Sequence, residues 1–195
     1  MTTRITTLIQ LSTTNILHLA LLGSFVTAAP LLATAEDSAQ GHAGHEQAAS
    51  ARLVQLVRNA TRQFLDVNNA GPAGYGPFLG CVSGPDHGAM GVHYVNGGLV
   101  GDGEIDVSRP EALIYETLNG QVRLVGVEYI VDAATWLANH NNTPPVLEGQ
   151  SFQFVGSPNR YNIPAPFFEL HVWAWRHNPN GAFVDWNDHV TCAGQ

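Results

Sequence analysis

Four ionisable residues, His93, Glu116, Glu128 and His171, each sit within or at the end of an apolar run, at positions 90–95, 112–116, 124–130 and 170–173. A charged or polar side chain inside an apolar strand is costly unless a partner or a metal ion compensates it. Two imidazoles with one or two carboxylates form a donor set suited to a divalent transition metal such as Zn, Mn, Fe or Cu, and such sets with open positions are common in catalysis. The four residues therefore predict one shared polar centre. His93 and His171 are its expected imidazole ligands, and Glu128 and Glu116 its carboxylate ligands or general base. Glu128 ranks ahead of Glu116, because its strand is the longest and most apolar and an uncompensated carboxylate would cost most there. Tyr94, Trp173 and Trp175 lie beside the two histidines in sequence and are candidate contacts for a small-molecule ligand.

Other chemistries fit less well. Glu116 and Glu128 could act as acid and base on a glycan, with Trp173, Trp175 and Trp186 as stacking platforms, although the tryptophans serve equally as core packing. A noncatalytic binding or structural β-domain is the main alternative: the same residues would then form a buried hydrogen-bond network, or pair with Arg109, Arg123 or Arg160. Ser83 and His87 lack the strand-turn-helix setting of a hydrolase nucleophile, and His87 reads as a rim residue. The closely spaced His-x-His pair of a cupin barrel is missing. All eight basic residues are arginine, which excludes Schiff-base lysine chemistry and P-loop phosphate binding.

Short strands must carry these residues. Leu118-Asn119-Gly120 between residues 113–117 and 121–131 is the clearest hairpin signal. A register that pairs Leu118 with Gln121 sets Glu116 opposite Arg123, so the two glutamates converge only through strong twist or a bulge. Alternation puts Leu124, Gly126, Glu128 and Ile130 on one face of their strand, and Val125, Val127, Tyr129 and Val131 on the other. Both faces are largely apolar, which calls for a sheet covered on both sides or closed into a barrel. Further strands are expected over 150–155 and 167–176, and a short helix or turn over 132–141. His177 shares the parity of His171 but lies about 20 Å along a regular strand, at the rim. Ahead of the strands, Leu53, Leu56, Val57, Ala60, Phe64 and Val67 recur at helical spacing and predict an amphipathic helix. The expected fold is α+β and predominantly antiparallel β: a small β-barrel or two-layer β-domain with one N-terminal amphipathic helix. Apolar faces on several strands are compatible with a dimer.

Residues 1–35 have the character of a signal peptide: Arg4, an apolar stretch over 16–32, and a small-x-small site at Ala33-Thr34-Ala35. Residues 36–51, rich in Ala, Gly, Ser and Gln, read as a flexible leader whose His42 and His45 could take up metal adventitiously. Residues 52–195 form the single globular domain. Loss of Arg4 leaves seven arginines against sixteen acidic residues, a net charge of −9 with neutral histidines. Such a chain is a poor partner for nucleic acid or anionic lipid, and no membrane association is expected after signal cleavage. Cys81 and Cys192, the only cysteines, are expected to form a disulfide, consistent with a secreted or periplasmic protein.

Residues 88–96 (GAMGVHYVN), 110–116 (PEALIYE), 125–129 (VGVEY) and 170–173 (LHVW), with Asn178-Pro179-Asn180-Gly181, resemble segments of a family of uncharacterised secreted bacterial proteins. The Met-Gly-x-His stretch followed by an Ile-Tyr hairpin is also similar to a second set of small uncharacterised bacterial β-domains. The resemblance implies a single bacterial β-rich domain and carries no established activity.

Overall fold

The structure is a computed structural model that describes residues 36–84 and 87–194. The expected signal peptide, the side chains of His42 and His45, and Pro85-Asp86 lie outside the described residues. Helix α1 runs Glu36–Thr61 and so takes in residues 36–51. The chain then tightens into short 3-10 turns at Arg62–Leu65 and Val67–Asn69, so Phe64 and Val67 lie beyond the α-helix that the periodicity extends to them. Strands β1 (Gly76–Ser83) and β2 (Ala89–Val95) follow, then the single-turn α2 (Gly97–Val100), capped by the Asn96 side chain.

The Asn119-Gly120 signal forms the tight turn it predicts, with φ of 52° and 73°. It joins β3 (Ala112–Leu118) to β4 (Gln121–Asp132), and Asp132 caps α3 (Ala133–Asn139) by accepting from the Thr135 N–H. The remaining strands are β5 (Val146–Leu147), β6 (Gln150–Ser151), β7 (Gln153–Val155) and β8 (Phe167–Val172). Six of them form one antiparallel sheet in the order β1-β2-β3-β4-β8-β7, while β5 and β6 pair separately. Among the described residues, β1 and β7 are the edges of the sheet. It is a curled half-barrel, not the closed barrel expected as one form of the fold, because β1 and β7 do not pair.

Strand alternation divides the two faces. Leu113, Tyr115, Val127, Tyr129, Leu170 and Val172 pack with Leu53 and Val57 of α1 and with Phe64 in the main core. The opposite face carries Glu128, His171 and Glu169, along with a smaller apolar cluster of Ala89, Ile114, Val125, Trp173 and Val190. Beside that cluster Cys81 and Cys192 form the expected disulfide, joining β1 to the C-terminal segment with their Cα atoms 5.6 Å apart. Among the described residues, no helix is long and apolar enough to cross a membrane.

Candidate metal centre

The sheet places three of the four predicted residues together. Glu128 on β4 is directly opposite His171 on β8, so their side chains share a face. His93 arrives from β2, opposite Ile114 on β3, which is itself opposite Gly126 on β4. One irregularity makes this work. The β3–β4 register starts as the hairpin predicts, with Leu118 opposite Gln121 and Glu116 opposite Arg123, but after Tyr115–Leu124 it slips by one residue at Val125. Without that bulge, alternation would turn Glu128 toward the helix face; with it, Glu128 joins His93 and His171. The extra carbonyl of Val125 is satisfied by the N–H groups of Trp175 and Arg176, so the bulge is held from the C-terminal loop.

The donor atoms are close. His93 Nε2 lies 3.4 Å from His171 Nε2 and 3.3 Å from Glu128 Oε2. A tetrahedral ion with bonds of about 2.0–2.1 Å separates its donors by about 3.3 Å. Two edges of the triangle therefore already match a bound ion. One donor atom from each of the three residues falls within 4.8 Å of the others, and the far nitrogen of His171, Nδ1, lies 4.0 Å from Glu128 Oε1. All three side chains are buried.

The protonation pattern sharpens this geometry. Burial, reinforced for His93 by His171, pushes both imidazoles down to about 3, so both are neutral near pH 7. Each neutral ring has one N–H to place. His93 turns its other nitrogen to the Gly91 carbonyl, while His171 Nδ1 faces Asp185 Oδ1 at 3.7 Å and has no hydrogen-bond partner of its own. If each N–H occupies Nδ1, where an acceptor waits, two Nε2 lone pairs point at each other. If one moves to Nε2, a bare Nδ1 is left against a carbonyl or carboxyl oxygen. A cation between the two Nε2 atoms removes the conflict, and a carboxylate behind the distal nitrogen is the usual support of a metal-bound histidine.

Carboxyl groups crowd the same place. Burial and then the charge of Glu169 hold Glu128 well above the ordinary carboxylate range. Burial, countered by contact with Glu128, brings Glu169 up to about 7. Burial also raises Asp185, against a hydrogen bond from Gln153. The His93–Glu128 contact in the metal-free protein is accordingly a neutral contact, not an ion pair. Glu169 Oε1 is buried and unpartnered, and Glu169, His171 and Asp185 form a second cluster of potential donors behind the first.

The other predicted residues lie elsewhere. Glu116 shares the face of Ile114 but sits four residues along β3 from Ala112, the residue opposite Glu128, which is roughly 13 Å. Its buried carboxylate accepts from the Thr191 N–H and anchors the C-terminal segment. Tyr94 alternates to the helix face and packs edge-on against Tyr115, 4.8 Å between centroids. Trp175 lies past the end of β8 and donates to Thr61 Oγ1 at the end of α1, so it too leaves the site. Trp173 stays close, its ring 6.2 Å from that of His171, but its indole N–H donates to the Val184 carbonyl and the ring belongs to the smaller core. Trp186 packs against Arg160, and exposed His177 pairs with His189 away from the cluster. Separation of Glu116 from Glu128, with Trp173 and Trp175 packed into the cores and Trp186 against Arg160, removes the basis for that glycosidase pair.

Sequence reasoning missed Glu169 and Asp185. Glu169 is an acidic residue in an apolar strand, two positions before His171 and of the same parity, so the criterion that found the others applies to it. Asp185 stands in a loop without periodicity and gives no such signal.

The fold and site together define an open antiparallel half-barrel with a buried His-carboxylate cluster on the face opposite its helix. No protein-family model, curated protein or solved structure matches the chain, so its function must be read from the geometry of that cluster.

Proposed function

We propose that this is an exported metal-dependent protein that holds one divalent transition ion through His93, His171 and Glu128. The meeting of two neutral Nε2 atoms, each ring with its other nitrogen turned to an oxygen, is the observation that carries this reading. Two nitrogens and an oxygen suit Zn, Mn, Fe or Cu and leave at least one position for water or a ligand. A bound ion of this kind polarises an oxygen donor or activates a water molecule, the chemistry of a metal-dependent enzyme. Asp185 orients His171 from behind, the Gly91 carbonyl orients His93, and Glu169 lies against Glu128. Export is supported by the disulfide, which persists in an oxidising compartment.

The close approach of the Glu128 and Glu169 carboxyls favours a second reading, a metal-free hydrogen-bond network. Metal analysis separates the two. Untagged protein reconstituted with each ion and then dialysed is expected to retain about one ion per chain, to lose it in His93→Ala and His171→Ala, and to keep it in Glu116→Ala. The ion should also raise the melting temperature of the wild type and not of the histidine variants. Absence of stoichiometric metal under every reconstitution condition leaves the network reading.

A further inference from the structure

An open cavity of about 610 Å³ stands directly over the His-carboxylate cluster. His93, Glu128, Glu169 and His171 form its buried floor, while Met90, Val95, Val100, Ile130, Ile163 and Phe167 supply apolar walls. Strands β1, β2, β4 and β8 reach it, and Phe78 and Leu79, exposed at 44% and 47%, stand at its mouth. Large exposed side chains beside a concave apolar surface mark a site for an apolar ligand.

Charge narrows the occupant. Among the described residues no arginine lines the cavity, and Glu128 and Glu169 on its floor have no cationic side chain beside them, while Asp132 at its edge is spent on capping α3. Arg160, on the same flank, is taken up by the Ser83 carbonyl and the Trp186 ring. With a divalent ion on the floor, Glu128 and Glu169 already balance its two charges, so a carboxylate, phosphate or sulfate would bring charge that no arginine there offsets, whereas sugars and other many-hydroxyl ligands would leave their hydroxyls unpaired against the walls. One polar group is accommodated, at the floor.

We propose that the cavity takes an uncharged, mainly hydrocarbon molecule with a single hydroxyl or carbonyl head, which enters head first and presents that oxygen to the His93–Glu128–His171 floor. The volume suits a ligand of roughly 10–25 non-hydrogen atoms. Placement of the head rests on the metal reading above; the hydrocarbon preference rests on the walls alone.

Displacement of a neutral fluorescent probe, N-phenyl-1-naphthylamine, tests both halves on the folded, disulfide-bonded protein. The wild type is expected to bind the probe at one site and to release it to 1-decanol, while decanoate at pH 8 competes at least tenfold more weakly. Ala165→Trp, at the exposed cavity rim, should weaken probe and decanol together by at least tenfold. Stripping the metal should weaken decanol by at least fivefold and change the probe less than twofold. Equal competition by decanol and decanoate, or failure of decanol to displace the probe, overturns the proposal even if metal is bound at one per chain. Decanol binding that ignores metal removal overturns the placement of the head. Protein that binds decanol with no stoichiometric metal sinks the metal reading and that placement while sustaining the hydrocarbon preference.

Discussion

At the residue scale, burial decides which groups carry charge. Glu111, 1% exposed just ahead of β3, accepts from the Ile130 N–H and so completes the β4 backbone beyond the reach of β3. Burial nevertheless dominates and pushes its carboxyl from the usual 4.5 up to about 7. Folded protein thus holds this proton more tightly than unfolded chain. The stabilisation from that proton is complete below about pH 4.5 and is lost as the pH rises through about 7. Glu111→Gln keeps an acceptor for Ile130 without the titration. Between pH 4.5 and 8 the wild type should therefore lose about 3 kcal/mol of stability relative to this variant in urea denaturation, and a pH-independent difference would refute the assignment. The same physics distinguishes Glu116 from Glu128. Both are buried strand glutamates, but one closes a structural contact with Thr191 and the other joins a cluster of ionisable groups.

At the element scale, the site depends on two departures from regular strand geometry. The bulge at Val125 brings Glu128 to the histidine face, and Gly91 lets β2 bring His93 there. Gly91 has φ of +95°, and a Cβ at that position would meet the Tyr115 carbonyl oxygen of β3 at 2.6 Å. Only glycine tolerates both the backbone conformation and the approach. Its carbonyl also faces His93, two residues on. Gly91→Ala should cost about 2–4 kcal/mol and reduce metal retention, read by urea denaturation alongside metal analysis of the same preparation. A loss of stability with full metal content would show that the glycine serves the sheet and not the site.

At the scale of the molecule, a disulfide ties the edge strand to the C-terminal segment. Cys81 lies on the edge strand β1 and Cys192 near the C-terminus, 111 residues later. The segment leading to Cys192 also contributes Thr191 to Glu116 and Val190 to the smaller core. Constraint of so long a loop corresponds to about 4–5 kcal/mol in the chain-entropy picture. Replacement of both cysteines by alanine should lower the unfolding free energy by about 3–5 kcal/mol in denaturant titrations. A change below about 1 kcal/mol would mean that the C-terminal segment is held by packing alone.

Much of this protein is legible in order along the chain. Alternation and turn residues reveal the antiparallel strands, the Asn119-Gly120 hairpin and its starting register, because those signals are local and need no knowledge of neighbours. The apolar context of His93, Glu128 and His171 likewise marks them as residues needing compensation, and the two cysteines can pair only with each other. What sequence does not settle is which buried groups meet. A one-residue bulge leaves a weak mark in composition yet reverses the facing of every later side chain in its strand, and so it decides between Glu128 and Glu116. Nor does periodicity recruit Asp185, whose position depends on a loop folding back behind His171. Closure is also a tertiary outcome: the curl of six strands leaves β1 and β7 unpaired and opens a cavity over the cluster. Local pattern specifies each strand, whereas the convergence of three strands on one centre depends on register, and register is set only when the whole sheet packs.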